Sequence, residues 1–297
     1  MTTPVRLALD WYINSVHIGI VVACRKNWLA DLGISLELVS PEEDNYQVDT
    51  VQKLLEGRVE IALCPPELLI ASHEKGNSDL IAVAALLQPQ ATGFAFRRAS
   101  KPIAQYAALQ LPYEASIVNQ VSRYIGIEQV EWIQVDKLDT WRAYREETAN
   151  LCWIFQPWEG VEMEVCQILG EYIPLHKTGV PYPNAPLVVC RQRWAKRNTS
   201  LLRGLLHAFG AGYYFARDHM HEAIAILAHL VPLPPPKRDK LISKSVIATN
   251  KLSMDVMESW GRVEVSLLRQ YLHWLCDCNA LTTRLEVERI ATNEFLE

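Results

Sequence analysis

The strongest constraint on this chain is an alternation running from residue 5 to residue 87: short apolar runs, each followed by a stretch with helical spacing. Residues 5–11, 34–40, 59–64 and 80–87 are rich in Val, Ile, Leu and Ala and read as strands. Between them, 17–30 spaces Ile18, Val21, Val22 and Trp28 as one apolar helix side. Residues 48–56 form a shorter helix ended by Gly57, and 68–73 form another after the Pro65-Pro66-Glu67 turn. Strand–helix–strand units of about 30 residues need a crossover between parallel strands, so a parallel sheet covered by helices is predicted.

The pattern then restarts. Residues 107–111, 129–135 and 151–155 are predicted strands with helices over 116–125 and 141–147, and 185–190 returns as a further strand. Beyond it the chain turns helical. Leu202, Leu205, Leu206, Phe209 and Tyr213 share one side of a helix over 199–216, a shorter helix covers 221–231, and a last amphipathic helix is predicted over 259–278. The Pro-Leu-Pro-Pro-Pro run at 232–236 predicts a stiff connector. The expected architecture is α/β in two lobes, with 1–92 plus 187–297 in the first and 93–186 in the second. The chain would cross near 90–94 and again near 183–188, and the lobes would close on a ligand between them.

Composition narrows the function. Of 297 residues 49% are hydrophobic, enough for a sizeable core and too many for a disordered chain. The 29 Lys+Arg against 34 Asp+Glu leave a net charge of −5 without a long block of one sign, which excludes a broad nucleic-acid or anionic-membrane surface. No 18 apolar residues run together, so no membrane insertion is predicted. Seven scattered cysteines make no disulfide framework. No basic-then-apolar leader can be read, so the expected location is cytoplasmic as the sequence stands, and periplasmic or extracellular if a leader was trimmed. Neither GxGxxG nor GxxxxGK[ST] occurs, and no cofactor is predicted. His273, Cys276 and Cys278 are metal-ligand types, but the two thiols two apart on a helix diverge, and no metal site is expected.

In open α/β folds, ligands sit beyond the carboxyl ends of the strands. Trp11, Tyr12, Asn14 and His17 follow the first predicted strand, and Glu67 follows the third. Trp158 and Glu159 follow the strand over 151–155, Tyr113 and Glu114 follow 107–111, and Tyr182 precedes the return crossover. Aromatic rings beside carboxylates suit a flat, nitrogen-bearing heterocycle: the rings supply stacking area, and a carboxylate accepts from an amino group. Each residue also has a plainer use. Trp11 and the tyrosines can pack at lobe edges, His17 can orient a helix start, and Glu67 can answer a helix dipole.

Leu9-Asp10-Trp11 with His17-Ile18-Gly19, Leu55-Glu56-Gly57-Arg58 through Ala62, Pro65-Pro66-Glu67, Trp153 through Gly160, and Gly179-Val180-Pro181-Tyr182 follow one another in this order. With Ala211 to Ala216, Trp260-Gly261 and Tyr271 to Leu275, they resemble the thiamine-pyrimidine binding-protein family. That family comprises class II periplasmic-type substrate-binding proteins of ABC importers and the fungal pyrimidine synthases. The likeness implies a two-lobed, hinged periplasmic-binding-protein fold, a small pyrimidine-like ligand and an ABC permease as partner. The synthases use a lysine-bound pyridoxal phosphate, a nearby histidine and a cysteine cluster. On that pattern Cys64 stands in the lysine position and Leu68 in the histidine position, and no run of adjacent cysteines occurs between 151 and 191. A thiol and an isobutyl group form no aldimine and supply no imidazole, so the resemblance implies binding without the synthase apparatus. Three alternatives stay open: an enzyme of pyrimidine formation or salvage with a divergent site, a cytoplasmic ligand sensor or carrier, and an interaction module whose closed cleft is vestigial.

Overall fold

A computed structural model describes residues 2–98, 103–231 and 237–296. Two five-stranded sheets organise the described residues. The first contains β1 (Thr3–Ala8), β2 (Ile34–Val39), β3 (Ile61–Cys64), β4 (Leu80–Ala85) and, returning from far along the chain, β10 (Leu187–Arg191). Its order is β2-β1-β3-β10-β4. β1 lies parallel to β2 and β3, with Leu7 opposite Leu38 and Ile61, while β10 enters antiparallel between β3 and β4. The second sheet is built from β5 (Thr92–Phe96), β6 (Ile103–Ala107), β7 (Gln129–Ile133), β8 (Leu151–Phe155) and β9 (Glu171–Pro174). Its order is β7-β6-β8-β5-β9, with β6 parallel to both neighbours and β5 antiparallel to both of its own.

Helices cover the sheets. α1 (Ile18–Arg25), α2 (Trp28–Asp31), α3 (Thr50–Leu55) and α4 (Pro66–Glu74) connect strands of the first. α5 (Glu114–Tyr124), α6 (Thr140–Arg145) and α7 (Val161–Cys166) belong with the second. After β10 come α8 (Gln192–Arg197), α9 (Thr199–Asp218), α10 (Met220–Ala228), α11 (Lys237–Leu252) and α12 (Val265–Asp277). α1 and α9 touch backbone to backbone: a Cβ on Gly212 would lie 1.9 Å from the Gly19 carbonyl oxygen, and one on Gly19 would lie 2.1 Å from the Tyr213 ring. Glycine is required at both positions, because any side chain would force the helices apart.

Two connecting segments, 86–91 and 175–186, bridge the sheets. These segments run side by side: the Leu86 N–H donates to the Pro186 carbonyl at 2.9 Å, and Asn184 Nδ2 donates to the Leu87 carbonyl at 3.1 Å. Asn184 also accepts, at its Oδ1, from the Glu264 N–H at 2.8 Å, which ties the C-terminal helices to the same place.

Several predicted elements differ in extent. The strand expected over 107–111 lies at Ile103–Ala107, and 108–111 is loop. The helix expected over 259–278 begins only at Val265, because Trp260 and Gly261 bridge to Met254 and Ala85 and Gly261 adopts φ +94°, which no helix continues through. The strand expected over 5–11 stops at Ala8, which leaves Asp10 and Trp11 in the loop. The connector over 232–236 lies outside the described residues. Two strands that went unpredicted, β5 and β9, complete the second sheet.

Candidate functional site

The carboxyl ends of β1, β3, β6 and β8 face one another across the gap between the sheets, and a chamber of about 70 Å³ lies there. Asp10, Trp11, Tyr46 and Pro65 line it from the first-sheet side. Leu109, Leu111, Thr140, Trp141 and Trp153 to Phe155, with Glu159, line it from the second. Tyr182, on the return crossover, forms part of its wall. The chamber opens to a wider vestibule of about 420 Å³ with which it shares Trp11, Trp141 and Glu159, and Tyr12 and Trp158 line that outer space.

Local structure places each polar group. Glu159 sits in a single π-helical turn, Gln156–Gly160, that directly follows β8; such turns re-aim side chains that a regular helix would point elsewhere. The Glu159 carboxylate folds back so that Oε2 accepts the Phe155 N–H at 3.0 Å. Burial pushes this carboxyl up to about 8, opposed by the Phe155 N–H and reinforced by the charges of Glu162 and Asp10. At neutral pH Glu159 therefore carries a proton and can donate as well as accept.

Asp10 faces Glu159 from the other lobe and is held by His17, whose Nε2 lies 3.1 Å from Asp10 Oδ1. The Asn14 N–H donates to His17 Nδ1 at 3.3 Å. Nδ1 is thus the acceptor nitrogen and Nε2 carries the hydrogen toward Asp10, which assigns the tautomer. Asn14 in turn caps the short 3₁₀ turn Ser15–His17, its Oδ1 accepting the Val16 N–H at 2.8 Å.

The aromatic walls are fixed from behind. The Trp141 Nε1–H donates to Glu162 Oε2 at 2.7 Å, and its ring stacks on Tyr144 with centroids 5.3 Å apart. Trp153 meets Tyr182 edge-on at 5.5 Å and Tyr182 meets Tyr271 at 5.4 Å. Glu67 lies fully buried behind Tyr182: the Tyr271 hydroxyl donates to its Oε1 at 2.5 Å and the Tyr182 hydroxyl to its Oε2 at 3.2 Å. Burial raises this carboxyl to about 7 against the pull of the two tyrosines.

Of the residues predicted to meet a ligand, Trp11, Glu159 and Tyr182 line the chamber, and Tyr12 and Trp158 line the vestibule. Asn14, His17 and Glu67 lie behind the wall and orient it. Tyr113 and Glu114 lie on the far side of the 109–111 loop; Glu114 accepts the N–H groups of Leu109 at 2.8 Å and Leu111 at 3.3 Å and so shapes that loop. Asp10, Tyr46, Trp141 and Trp153 are wall residues not singled out from the sequence. Asp10 stood in plain view beside Trp11 at a strand end, whereas Tyr46 is brought in by a left-handed turn that no periodicity marks. Cys64 is fully buried and burial holds its thiol well above the ordinary range, while Leu68 is a buried core residue. Among the described residues no group of three or more His, Cys, Asp or Glu side chains is placed to hold a metal ion. None of the described helices is long and apolar enough to cross a membrane.

Two sheets joined by paired crossovers, with an enclosed chamber where their strand ends meet, define a two-lobed periplasmic-binding-protein fold. Solved structures share it over nearly their whole lengths. The alkanesulfonate-binding protein SsuA of Xanthomonas axonopodis is similar at TM-score 0.71 and 11% identity, with 98% of this chain and 99% of that one covered. A ligand-binding component of an ABC-type import system from Staphylococcus aureus gives 0.70 and 12%, covering 99% and 98%. The nitrate-binding protein NrtA of Synechocystis gives 0.69 and 12%, covering 99% and 87%. No curated protein sequence matches significantly. The family model described as NMT1/THI5 like matches residues 14–223, more than half of the chain, and the protein belongs to that family.

Proposed function

We propose that this protein captures a small, flat, amino-bearing heterocycle of the pyrimidine or thiamine-precursor type, closing its two lobes over the ring, and delivers it to the permease of an ABC-type importer. The observation that carries this reading is the composition of the chamber wall. Two carboxyl groups, Asp10 and Glu159, face it from opposite lobes among Trp11, Trp141, Trp153 and Tyr182, and among the described residues no Lys, Arg or His lines it. An anion such as the alkanesulfonate or nitrate for which proteins of the same fold are named would meet the Asp10 carboxylate there and no cation in the chamber. An aminopyrimidine instead offers N–H donors to Asp10 and a ring nitrogen to the protonated Glu159, with both ring faces available for stacking.

Capture is favoured over synthesis because the positions that carry lysine and histidine in the synthase pattern hold a buried thiol and a core leucine. A chamber of about 70 Å³ has room for a few waters, so a ring enters only when the lobes part. Hinge motion about segments 86–91 and 175–186 supplies that opening.

The test is isothermal titration and thermal shift of the purified chain with the aminopyrimidine fragment of thiamine, an alkanesulfonate, nitrate and pyridoxal phosphate. The aminopyrimidine is expected to bind, and at about 100 times its Kd to stabilise the fold by about 2.7 kcal/mol. Preferential binding of the sulfonate or nitrate, or an aldimine absorption band with pyridoxal phosphate, would overturn the reading.

A further inference from the structure

Helix α4 carries two acids on one side, and tyrosine hydroxyls from outside the first sheet bond both. Glu67, near its start, accepts from Tyr182 of the return crossover. Glu74, at its end, accepts from Tyr113, which stands just before α5 of the second lobe: the Tyr113 hydroxyl donates to Glu74 Oε2 at 2.8 Å. The other carboxylate oxygen of Glu74 faces back to its own lobe, where the Thr282 N–H donates to Oε1 at 2.8 Å and the Thr282 hydroxyl at 2.7 Å. Although burial opposes it, these donors and Tyr113 hold the Glu74 carboxyl below its ordinary range, so it is a fixed anionic acceptor.

The spacing gives the pair leverage. Glu74 lies seven positions beyond Glu67 on the α-helix, about 10 Å along the axis. Glu67 lies at the crossover, about which the lobes pivot, and Glu74 lies two turns away from it. Parting the lobes stretches the Tyr113–Glu74 bond while leaving the bond at the pivot nearly unchanged.

Tyr113 itself is held for this reach. Its backbone is left-handed, φ +61°, a conformation that a bulky aromatic residue adopts only when its surroundings enforce it. The next residue, Glu114, grips the N–H groups of Leu109 and Leu111, and both leucines line the chamber. The hydroxyl that crosses to α4 is therefore joined through one residue to the ligand wall of the second lobe.

We propose that Tyr113 and Glu74 form a latch between the lobes that holds the cleft shut over the chamber without touching the ligand. This goes beyond the identity of the ligand and does not depend on it. The latch stabilises the closed state, and loss of the hydroxyl shifts the population toward the open one.

Two substitutions in the full chain test it. Tyr113→Phe keeps the ring and removes only the crossing bond, and Thr282→Val removes the hydroxyl donor to Glu74 from its own lobe while leaving the Thr282 N–H and the crossing bond in place. Small-angle X-ray scattering of the ligand-free proteins is expected to give a larger radius of gyration for Tyr113→Phe and the parent's value for Thr282→Val. With the aminopyrimidine fragment of thiamine as probe, dissociation from Tyr113→Phe is expected to be roughly 10- to 100-fold faster, the loss of one hydrogen bond to a charged acceptor. A Tyr113→Phe scattering curve that matches the parent, or an equal opening in Thr282→Val, overturns the latch. The scattering arm uses no ligand, so failure of the probe to bind would count against the proposed ligand and leave the latch judged on its own.

Discussion

Replacing Glu159 by Gln should stabilise the ligand-free protein, and by an amount that grows with pH. In the fold this carboxyl titrates at about 8, against an ordinary value of 4.5. The folded state thus binds a proton more tightly than the unfolded chain, and stability falls as pH rises between the two values. At about 1.36 kcal/mol per pH unit, the full gap is worth roughly 5 kcal/mol at high pH and nothing below about pH 4, where both states hold the proton. Gln keeps the side-chain shape and an oxygen for the Phe155 N–H but has nothing to ionise. Glu67, also raised, is present in both proteins and cancels in the comparison. The assay is urea unfolding of parent and Glu159→Gln at several pH values, with the free-energy difference as the readout. In favour of the variant, it should widen by roughly 3 kcal/mol from about pH 5 to about pH 8. A difference that stays constant with pH would show that Glu159 is solvated and ionised, and the account of a protonated acid in the chamber would fall.

Three further outcomes follow from the geometry. Gly212→Ala, which drives a methyl group into the Gly19 carbonyl, should cost about 1–3 kcal/mol or more of stability by overpacking α1 against α9, read by thermal or urea unfolding. Tyr271→Phe removes one of two hydroxyls that hold the buried Glu67 carboxylate; the loss of about 1–3 kcal/mol should be larger at about pH 8 than at about pH 5, since only the ionised form needs that donor. Trp11→Ala should leave the fold intact and weaken binding of the aminopyrimidine by about 1.5 kcal/mol or more, roughly tenfold, by titration calorimetry, because Trp11 borders both chamber and vestibule.

The sheets were legible where strands are apolar on both faces. Residues 151–155 and 80–85 show this well, since every residue of β4 is buried and its sequence is an unbroken apolar run. β9 escaped because four residues ending in Pro174 at a sheet edge carry no period. β5, Thr-Gly-Phe-Ala-Phe, reads equally well as a crossover, since it begins one residue after the first connecting segment ends. The helix over 237–252 went unpredicted because the charged start of Lys-Arg-Asp-Lys hides its apolar side. At the site, residues following a strand end could be found from position in sequence alone, as with Trp11 and Glu159. Position alone could not say which faced the chamber: Glu67 is a glutamate after a strand end like Glu159, and His17 follows the same strand as Trp11, yet hydrogen-bond partners turn both into supports.

The course of β10 has a bearing on how the molecule is made. The second sheet is complete once residue 174 has been synthesised, since all its strands come from one unbroken stretch. The first sheet still lacks its fourth-ranked strand at that moment, and β3 and β4 each present a bare edge to the other until residues 187–191 arrive to zip between them. On the ribosome, the lobe that begins first is therefore finished last. Any fragment cut short of that insertion would leave two sticky margins facing one another, so truncated products should aggregate through the N-terminal half.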